Sequence, residues 1–381
     1  MKLKTILLIC TTVCCIFIGC TPRNQNDSDL IHINLRGSFP EREMRLEKIA
    51  EIDFLQLETH DDFLFRGFPQ VITSDKIIIA NPFSGDILIF SRDGSPVSRF
   101  NRQGGGPEEF SQLRGIVFDG VADEIFVLTV DRIMVYSLTG KFIRRVSLPE
   151  GASVREMVSY DSESLLLFGR DFVRNDERNV CPLSSFTIIS KKDGSVVTTI
   201  DMPPVEIIEG VTVLMASSRG YTIFGTTPIV RHNDGFLLNI HATDTVFLYR
   251  DRELIPFLTR TPRLRSMNSP VILRNFFEAG NFQFFDTQTI NRCGDFSGAH
   301  LMRDKRTGAV YRQRIIFDDF RGRSVVIHSD MVKCSGIGLL VLDLIELKNA
   351  NDESRLSGRL KELVNNSEED GNNIFMLLHF K

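Results

Sequence analysis

The chain has 381 residues with 45 basic and 49 acidic side chains, a formal charge of −4, and 42% of its residues are hydrophobic. A mildly acidic chain lacks the basic surface that nucleic-acid binding requires, and it would not adhere electrostatically to an anionic bilayer. Its length exceeds that of a usual single domain, about 100–200 residues, so we expect either two domains or one large repeat architecture.

The N-terminus has the pattern of a signal peptide. Two lysines precede an apolar run, residues 6–18, which is too short to cross a bilayer, since crossing takes about 20 apolar residues. Residues 17–20 resemble the bacterial lipobox, whose cysteine becomes an acylated N-terminus. The resemblance implies that residues 1–19 are removed and that Cys20 carries a lipid anchor in the cell envelope, on the periplasmic or the cell-surface side of a membrane. Plain secretion with cleavage elsewhere is the alternative.

The mature chain begins with a polar segment. Residues 21–30 carry no hydrophobic periodicity, and we expect residues 20–44 to be a lipidated, flexible tether that precedes a folded domain, residues 45–381. Removing residues 1–19 takes away two lysines and leaves a formal charge of −6. The membrane is therefore expected to hold this chain through the lipid.

Cysteine and histidine usage gives no sign of a metal. Outside the signal peptide and Cys20, only Cys181, Cys293 and Cys334 remain, widely spaced and without a C-x-x-C pair. We expect buried thiols, with one disulfide in an oxidising periplasm as the alternative. The seven histidines show no H-E-x-x-H spacing. We therefore predict no cofactor and no metal from the sequence.

A pattern of short strands occurs twice near the start of the folded domain. In the first copy residues 76–90 contain two apolar strands that lead to a turn at Gly94, and in the second residues 123–136 lead in the same way to a turn at Gly140. Three looser copies of the turn follow, at Gly194, at Arg252-Glu253 and at Gly308. A repeat of about 50 residues with several strands is typical of a β-propeller.

Five turns predict five blades, and the two ends of the chain complete a sixth. Residues 49–57 and residues 373–380 are both strand-like, and their pairing would close the ring without an exposed edge. Residues 201–235 and 259–300 fit the repeat poorly, which predicts elongated loops or irregular blades there.

The spacing of Leu356, Leu360, Leu363 and Val364 places them on one face of a helix that begins near Asp352. We therefore predict an all-β fold: a six-bladed β-propeller with a short C-terminal surface helix and closure by the terminal strands.

Four sequence features together resemble a known family. They are residues 100–110 (FNRQGGGPEEF), the preceding IF-x-RDG at 89–94, LET at 57–59, and the pair at 318–319. These features look like those of six-bladed β-propeller lipoproteins of bacterial envelopes, which are related to NHL-repeat proteins. The resemblance implies the fold and an envelope location, and it implies no particular activity.

The glycine run at residues 104–106, followed by Pro107, predicts a loop. No Gly-Lys-Ser/Thr follows, so a nucleotide site is not indicated. We interpret the run as the connector from the outer strand of one blade to the inner strand of the next, with packing between blades as the alternative reason for its glycines. In a four-stranded blade this connector shares a face with the loop between the second and third strands. The candidate binding residues on that face are Asn81, Phe83, Asp86, Arg102, Gln103, Glu108, Glu109, Asp131 and Arg132.

A second candidate is the acidic pair Asp318-Asp319, which lies between two apolar segments and predicts a polar site at the end of a strand. Adjacent carboxylates on a strand point to opposite faces, so the pair does not predict acid–base catalysis. The leading hypothesis is a non-catalytic lipoprotein whose propeller rim binds a partner protein, peptide or glycan. The alternatives are an envelope hydrolase or lyase with a metal at the propeller channel, and a structural scaffold of an envelope complex.

Overall fold

The computed structural model describes residues 30–64, 67–175, 179–203, 227–233, 235–240, 243–290, 296–331 and 337–381. Three strands precede the first complete blade: β1 (Ile31–Asn34), β2 (Glu41–Arg45) and β3 (Ala50–Gln56). The following strands form successive antiparallel sheets in chain order, and each of these sheets is one blade.

Blades 1 to 3 each contain four strands. Blade 1 consists of β4 (Phe68–Ile72), β5 (Lys76–Ala80), β6 (Asp86–Ser91) and β7 (Pro96–Asn101). Blade 2 consists of β8 (Gly115–Asp119), β9 (Glu124–Leu128), β10 (Arg132–Ser137) and β11 (Phe142–Ser147). Blade 3 consists of β12 (Val154–Ser159), β13 (Ser164–Asn175), β14 (Asn179–Ser190) and β15 (Val196–Ile200). The first strands of neighbouring blades contact one another, so the first strand of each blade is the innermost.

Blades 4 and 5 have the same order and gain a fifth strand from the N-terminus. Blade 4 consists of β16 (Ile229–His232), β17 (Gly235–Leu238), β18 (Thr245–Arg250) and β19 (Glu253–Thr261), with β1 outside β19. Blade 5 consists of β20 (Val271–Ala279), β21 (Phe282–Ile290), β22 (Phe296–Asp304) and β23 (Val310–Ile316), with β2 outside β23 and the short β24 (Ser324–Val325) also paired to β23. Of the two alternatives for residues 259–300, elongated loops are wrong, because β20, β21 and part of β22 occupy most of the range. The blade that they form is irregular, with a bulge in β20 and six strands in its sheet. Residues 204–226 lie outside the described residues.

Blade 6 closes the ring with both ends of the chain. It contains β25 (Ile337–Leu342), β26 (Ile374–Phe380) and β3, and β26 pairs antiparallel with β3 from Ile374–Gln56 to Phe380–Ala50. Two helices connect β25 to β26: α1 (Leu344–Asp352) and α2 (Gly358–Asn366). The predicted six-bladed propeller, its closure by the terminal strands and a helix near the C-terminus are confirmed.

The helical segment differs from its prediction in detail. Leu360 and Val364 of α2 are buried as the spacing predicts, but Leu356 precedes the helix and Asp352 ends α1. The sequence signal for α1 was weak because only three of its nine residues, Leu344, Leu347 and Ala350, are buried. Asp343 starts that helix by accepting a hydrogen bond from the Glu346 N–H at 2.9 Å.

The tether prediction is wrong for the described residues before position 45. β1 pairs in parallel with β19, β2 pairs in parallel with β23, and Ile33 and Leu35 are buried in the largest core cluster. Alternating apolar residues at 31, 33 and 35 drive this pairing, because a strand that buries one face against a blade needs this period of two. Any free tether is therefore limited to residues before the first of these strands.

The hydrophobic cores lie between adjacent blades. One cluster joins blades 1 and 2 and includes Ile78, Ile89, Phe100 and Tyr136, and another joins blades 6 and 1. The ring has two faces. We define the rim face as the one that carries the connectors between blades and the loops joining second to third strands, and the hairpin face as the opposite one.

The repeated turn contacts the preceding blade. In the turn of blade 2, Gly140 has φ +77°, and a Cβ atom on it would lie 2.5 Å from Phe100 Cβ of blade 1. The turn glycines of blades 1 and 3 also have positive φ and approach Gln56 and Ser147, the ends of the preceding outer strands. The turn glycines of blades 1 to 3 are therefore points of contact between blades, where a side chain would meet backbone atoms at Gly94 and Gly194 and the Phe100 side chain at Gly140.

Gly140→Ala is expected to destabilise the fold more than Gly151→Ala. Both glycines have left-handed backbone, with φ +77° and +73°, but a Cβ at Gly151 meets nothing within 4 Å. Gly151→Ala should therefore lower the free energy of unfolding by the backbone strain alone, about 1–3 kcal/mol. Gly140→Ala should lower it by the same strain and by about 1–3 kcal/mol more, because the new Cβ collides with Phe100. Urea unfolding of both variants measures the difference, and equal losses would contradict a steric role for this turn.

Candidate functional site

The rim of blade 1 is organised around the loop between β5 and β6. The Asn81 side chain accepts hydrogen bonds from the Phe83 and Ser84 N–H groups, which folds the loop back on itself. Phe83 at the tip is 86% exposed. Asp86 accepts hydrogen bonds from the Ser84 hydroxyl at 2.6 Å and the Asn101 amide at 3.1 Å. Its carboxylate therefore orders the loop.

The glycine-rich connector is a closed loop. The Phe110 N–H donates to the Arg102 carbonyl at 2.9 Å, and the Gly104 N–H donates to the Phe110 carbonyl at 3.0 Å. The Glu109 carboxylate accepts a hydrogen bond from the Gly106 N–H at 2.7 Å and fills the space beside Gly104. Glu109 is therefore part of the loop's internal structure.

The connector is also bonded to its neighbours on both sides. Arg102 Nε donates to the Gly140 carbonyl at 2.8 Å, and Gln103 bonds to the Asn101 side chain through its N–H and to the Ser111 carbonyl through its amide. Arg102 therefore joins the connector to the repeated turn of blade 2. This contact favours packing between blades as one reason for the glycine-rich sequence.

Tyr136 contacts the connector from the interior of blade 2. The side chain is buried among Phe100, Phe110 and Phe142, and its hydroxyl donates to the Glu108 carbonyl at 2.9 Å. Burial raises the pKa of Tyr136 to about 12. The Glu108 backbone is thus held by a neutral hydroxyl from the interior of blade 2.

A small pocket of about 170 Å³ lies between the connector and the rim loop of blade 2. Its wall consists of Gly104, Gly105, Gly106, Glu109, Phe110, Ser111, Thr129, Asp131 and Arg132. Asp131 accepts hydrogen bonds from Arg132 Nε at 2.9 Å and from the Thr129 hydroxyl at 3.1 Å, and the Arg132 guanidinium holds the pKa of Asp131 below its usual value. The pocket is polar, and Asp131 and Arg132 place a negative and a positive charge at its edge.

The structure thus brings nine of the eleven candidate rim residues together on blades 1 and 2. The other two, Asp318 and Asp319, follow β23 on the connector between blades 5 and 6. Asp318 forms an ion pair with Arg45 of β2. The Asp319 carbonyl accepts a hydrogen bond from the Ser357 N–H at 3.0 Å, beside the start of α2. These two residues therefore attach the N-terminal strand and the helical segment to blade 5.

Sequence reasoning placed Phe83 on the rim face but missed the other apolar side chains that this face exposes. Phe68 at the start of β4 is 56% exposed, and Leu64 and Val130 are also exposed on this face. Phe83, Phe68, Leu64 and Val130 come from three separate connections, so only the fold places them on one face. No sequence periodicity marks them, because each is a single apolar residue at a strand end or in a loop.

A second missed feature is a hydrogen-bonded chain inside blade 5. Asp286 is buried and accepts hydrogen bonds from the Asn275 amide at 2.9 Å and from His300 at 2.7 Å. Asn275 adopts φ +55° where β20 is bulged, and its side-chain oxygen accepts from the Thr227 N–H at 3.0 Å. Three of these residues come from β20, β21 and β22 and Thr227 comes from the segment before β16, which explains why sequence spacing does not reveal them.

The described histidines do not converge on one carboxylate. His232 bonds to Glu278 at 2.9 Å near the hairpin face, whereas His300 bonds to Asp286 in the middle of blade 5. Within the part of the chain that the structure describes, no three His, Cys, Asp or Glu side chains are arranged to hold a metal ion. Cys20, Cys293 and Cys334 lie outside the described residues, and the side chain of Cys181 is not described. None of the described helices combines the length and the apolar character that a membrane crossing needs.

The protein is a closed six-bladed β-propeller. Strands from both chain ends complete its ring, and connectors and apolar loop tips form its rim. The chain belongs to the family described as Domain of unknown function (DUF4934), whose model matches residues 30–379. No curated protein matches the chain significantly.

The solved structures that are similar to this fold include two from Bacteroides species. One is a "Putative exported protein" from Bacteroides fragilis NCTC 9343, with a TM-score of 0.61 and 15% identity over 92% of this chain and 99% of that chain. The other is a member of the DUF4221 family from Bacteroides vulgatus ATCC 8482, with a TM-score of 0.47 and 10% identity over 87% of this chain and 97% of that chain. At such low identity the likeness concerns the fold alone.

Tyr136→Phe is expected to loosen the connector and to change the response to alkaline pH. Loss of the hydroxyl should cost about 0.5–1.5 kcal/mol of unfolding free energy, because the Glu108 carbonyl loses its donor. In the wild type the folded state holds the Tyr136 proton up to a pKa of about 12, above the ordinary value of 10.0, so stability should fall as pH rises from 10 towards 12. Urea unfolding at several pH values should show a smaller fall for Tyr136→Phe, and parallel curves would contradict this assignment.

Proposed function

We propose that the protein is an exported, lipid-anchored propeller that binds a partner protein or peptide through its rim face and catalyses no reaction. The observation that carries the binding proposal is the set of exposed apolar side chains on the rim, with Phe83 the most exposed of them. Isolated apolar residues are common on surfaces, but four on one face beside a charged pocket match the composition of a protein-binding surface.

The chemistry of the rim favours a protein or peptide over a glycan. The exposed side chains are phenylalanine, leucine and valine, which offer apolar contact and no hydrogen bonds, and the chain has no tryptophan. The neighbouring pocket offers Asp131, Arg132 and the backbone of the glycine run as polar contacts. An apolar side chain beside a polar pocket suits a peptide segment that has one apolar anchor and a polar backbone.

Export and anchoring rest on the N-terminal sequence, and export alone is also supported by the name of one structural neighbour. The signal-peptide pattern ends in the lipobox-like residues 17–20, and the Bacteroides fragilis neighbour bears the name "Putative exported protein". The likeness to lipoprotein propellers related to NHL repeats belongs to this proposal as well. Such an anchor would hold the propeller in the envelope while leaving its rim accessible to partners.

Cys20→Ala is expected to abolish the lipid anchor. The variant should incorporate no labelled fatty acid and should leave the membrane fraction, because the acyl chains supply the affinity for the bilayer. Metabolic labelling and membrane fractionation measure both effects. Retained labelling of Cys20→Ala would refute the anchoring proposal.

Phe83→Asp is expected to weaken partner capture without affecting the fold. Phe83 is 86% exposed on the rim face, and Val121 is 93% exposed in the loop between β8 and β9 on the hairpin face. A charge at the centre of an apolar contact should cost at least about 2 kcal/mol of binding, roughly 30-fold in affinity, whereas Val121→Asp should cost little. Tagged full-length variants solubilised from the envelope are compared by quantitative co-purification. Equal capture by the two variants would count against the rim as the binding face.

A further inference from the structure

The innermost strands of blades 1 to 3 begin side by side on the rim face, around the axis of the ring. Each connector arrives on this face, so the first strand of a blade starts there and runs towards the hairpin face. Phe68 is the first residue of β4, Arg114 directly precedes β8, and Arg155 is the second residue of β12. β8 contacts both β4 and β12. We call the surface formed by these three residues the channel mouth.

Arg114 joins two blades at the channel mouth. Its Nη1 donates a hydrogen bond to the Val154 carbonyl at 3.1 Å, so the guanidinium reaches from blade 2 to the residue that precedes Arg155 in blade 3. Burial and the positive charge of Arg155 both lower the pKa of Arg114. The two guanidiniums therefore lie close enough for their charges to repel each other.

Arg155 is exposed at a bulge of the innermost strand. The pairing of β12 with β13 shifts its register at Arg155, which has no residue opposite it. A bulge of this kind re-aims a side chain away from the regular direction of its strand. In the part of the chain that the structure describes, no carboxylate forms an ion pair with Arg114 or Arg155, whereas Arg99 and Arg144 on the outer strands of blades 1 and 2 each have one. The channel mouth is thus locally positive on a chain whose formal charge is −4.

We infer that Arg114 and Arg155 bind a carboxylate of the partner, presented by an acidic side chain or by the C-terminus of a peptide. The inference rests on the proposed function, because it takes the partner to be a protein or peptide. A carboxylate between the two guanidiniums accepts charge-assisted hydrogen bonds from both and offsets their repulsion. Phe68 at the same mouth offers an apolar contact to a neighbouring residue of the partner.

The first test uses three small probes that differ in their carboxylates. N-acetylglutamate α-amide carries a side-chain carboxylate, N-acetylglutamine carries a terminal carboxylate, and N-acetylglutamine amide carries neither. Full-length protein in a non-ionic detergent is titrated at constant ionic strength with up to about 50 mM probe, and the rise of its thermal unfolding midpoint gives the dissociation constant. We expect a charged probe to bind and the neutral probe not to bind, and the tighter charged probe identifies the source of the carboxylate. Absence of binding by both charged probes, or equal binding of the neutral probe, would overturn the inference.

Arg155→Gln and Arg252→Gln are matched variants for this titration. Both arginines are exposed, and Arg252 lies in the turn between β18 and β19 on the hairpin face. Arg155→Gln should bind the charged probe at least about tenfold more weakly than the wild type, because a charge-assisted hydrogen bond is lost, and Arg252→Gln should bind it normally. Without probe, Arg155→Gln should be at least as stable as Arg252→Gln, because Arg114 is relieved of repulsion. Equal affinities in the two variants, or a less stable Arg155→Gln, would contradict the assignment.

Partner capture distinguishes this inference from the proposed function. If Phe83→Asp weakens capture and Arg155→Gln does not, the rim binds its partner without the carboxylate contact, and only the inference is overturned. Weakened capture in both variants, together with binding of a charged probe, supports both proposals. If Phe83→Asp leaves capture unchanged, the proposed function fails, and the probe titration still decides whether the two arginines hold a carboxylate.

Discussion

The pairing of β26 with β3 is the interaction on which the rest of the structure depends. Alternate residues of β26 contribute to two different cores: Phe375 and Leu377 pack towards blade 1, whereas Ile374, Met376 and Leu378 pack towards blades 4 and 5. The described cores lie between neighbouring blades, and the largest of them extends through blades 4, 5 and 6 and the two helices. An open ring would therefore expose the apolar faces on both sides of the gap. The loss of unfolding free energy would be far larger than the contribution of the seven residue pairs between β26 and β3.

The closed ring also determines how the rim is built. Each connector leaves the outer strand of one blade and enters the inner strand of the next, so its conformation must fit two blades at once. Residues 102–110 meet this requirement with hydrogen bonds inside the loop, to the repeated turn of blade 2 and to Tyr136. These hydrogen bonds hold the connector backbone to two blades, which under the proposed function gives a partner a preformed surface. Rigidity of this kind lowers the entropy cost of binding.

Edge protection explains the unusual course of the N-terminal segment. Residues 31–56 run across three successive blades, adding one strand to blade 4, one to blade 5 and the outer strand to blade 6. Two edges are thereby covered and the ring is closed by a single continuous stretch of chain. The same segment connects the proposed anchor to the fold, so a pull on the anchor would act first on β1, the strand that pairs through only four residues.

The amino-acid sequence by itself determined the repeat, because each blade needs several short strands joined by turns, and in blades 1 to 3 the turn needs a glycine against the preceding blade. It also determined the closing strands, whose apolar residues must be buried on both faces. Only the tertiary structure decided three other features. They are the parallel pairing of β1 and β2 with outer strands, the helix α1, and the hydrogen-bonded chain from Asn275 through Asp286 to His300. The physical reason is that these features depend on surfaces of distant elements. A short strand such as Ile31–Asn34 is too weakly patterned to be recognised until the edge of blade 4 exists, and a buried aspartate is identified only when its partners arrive from other strands.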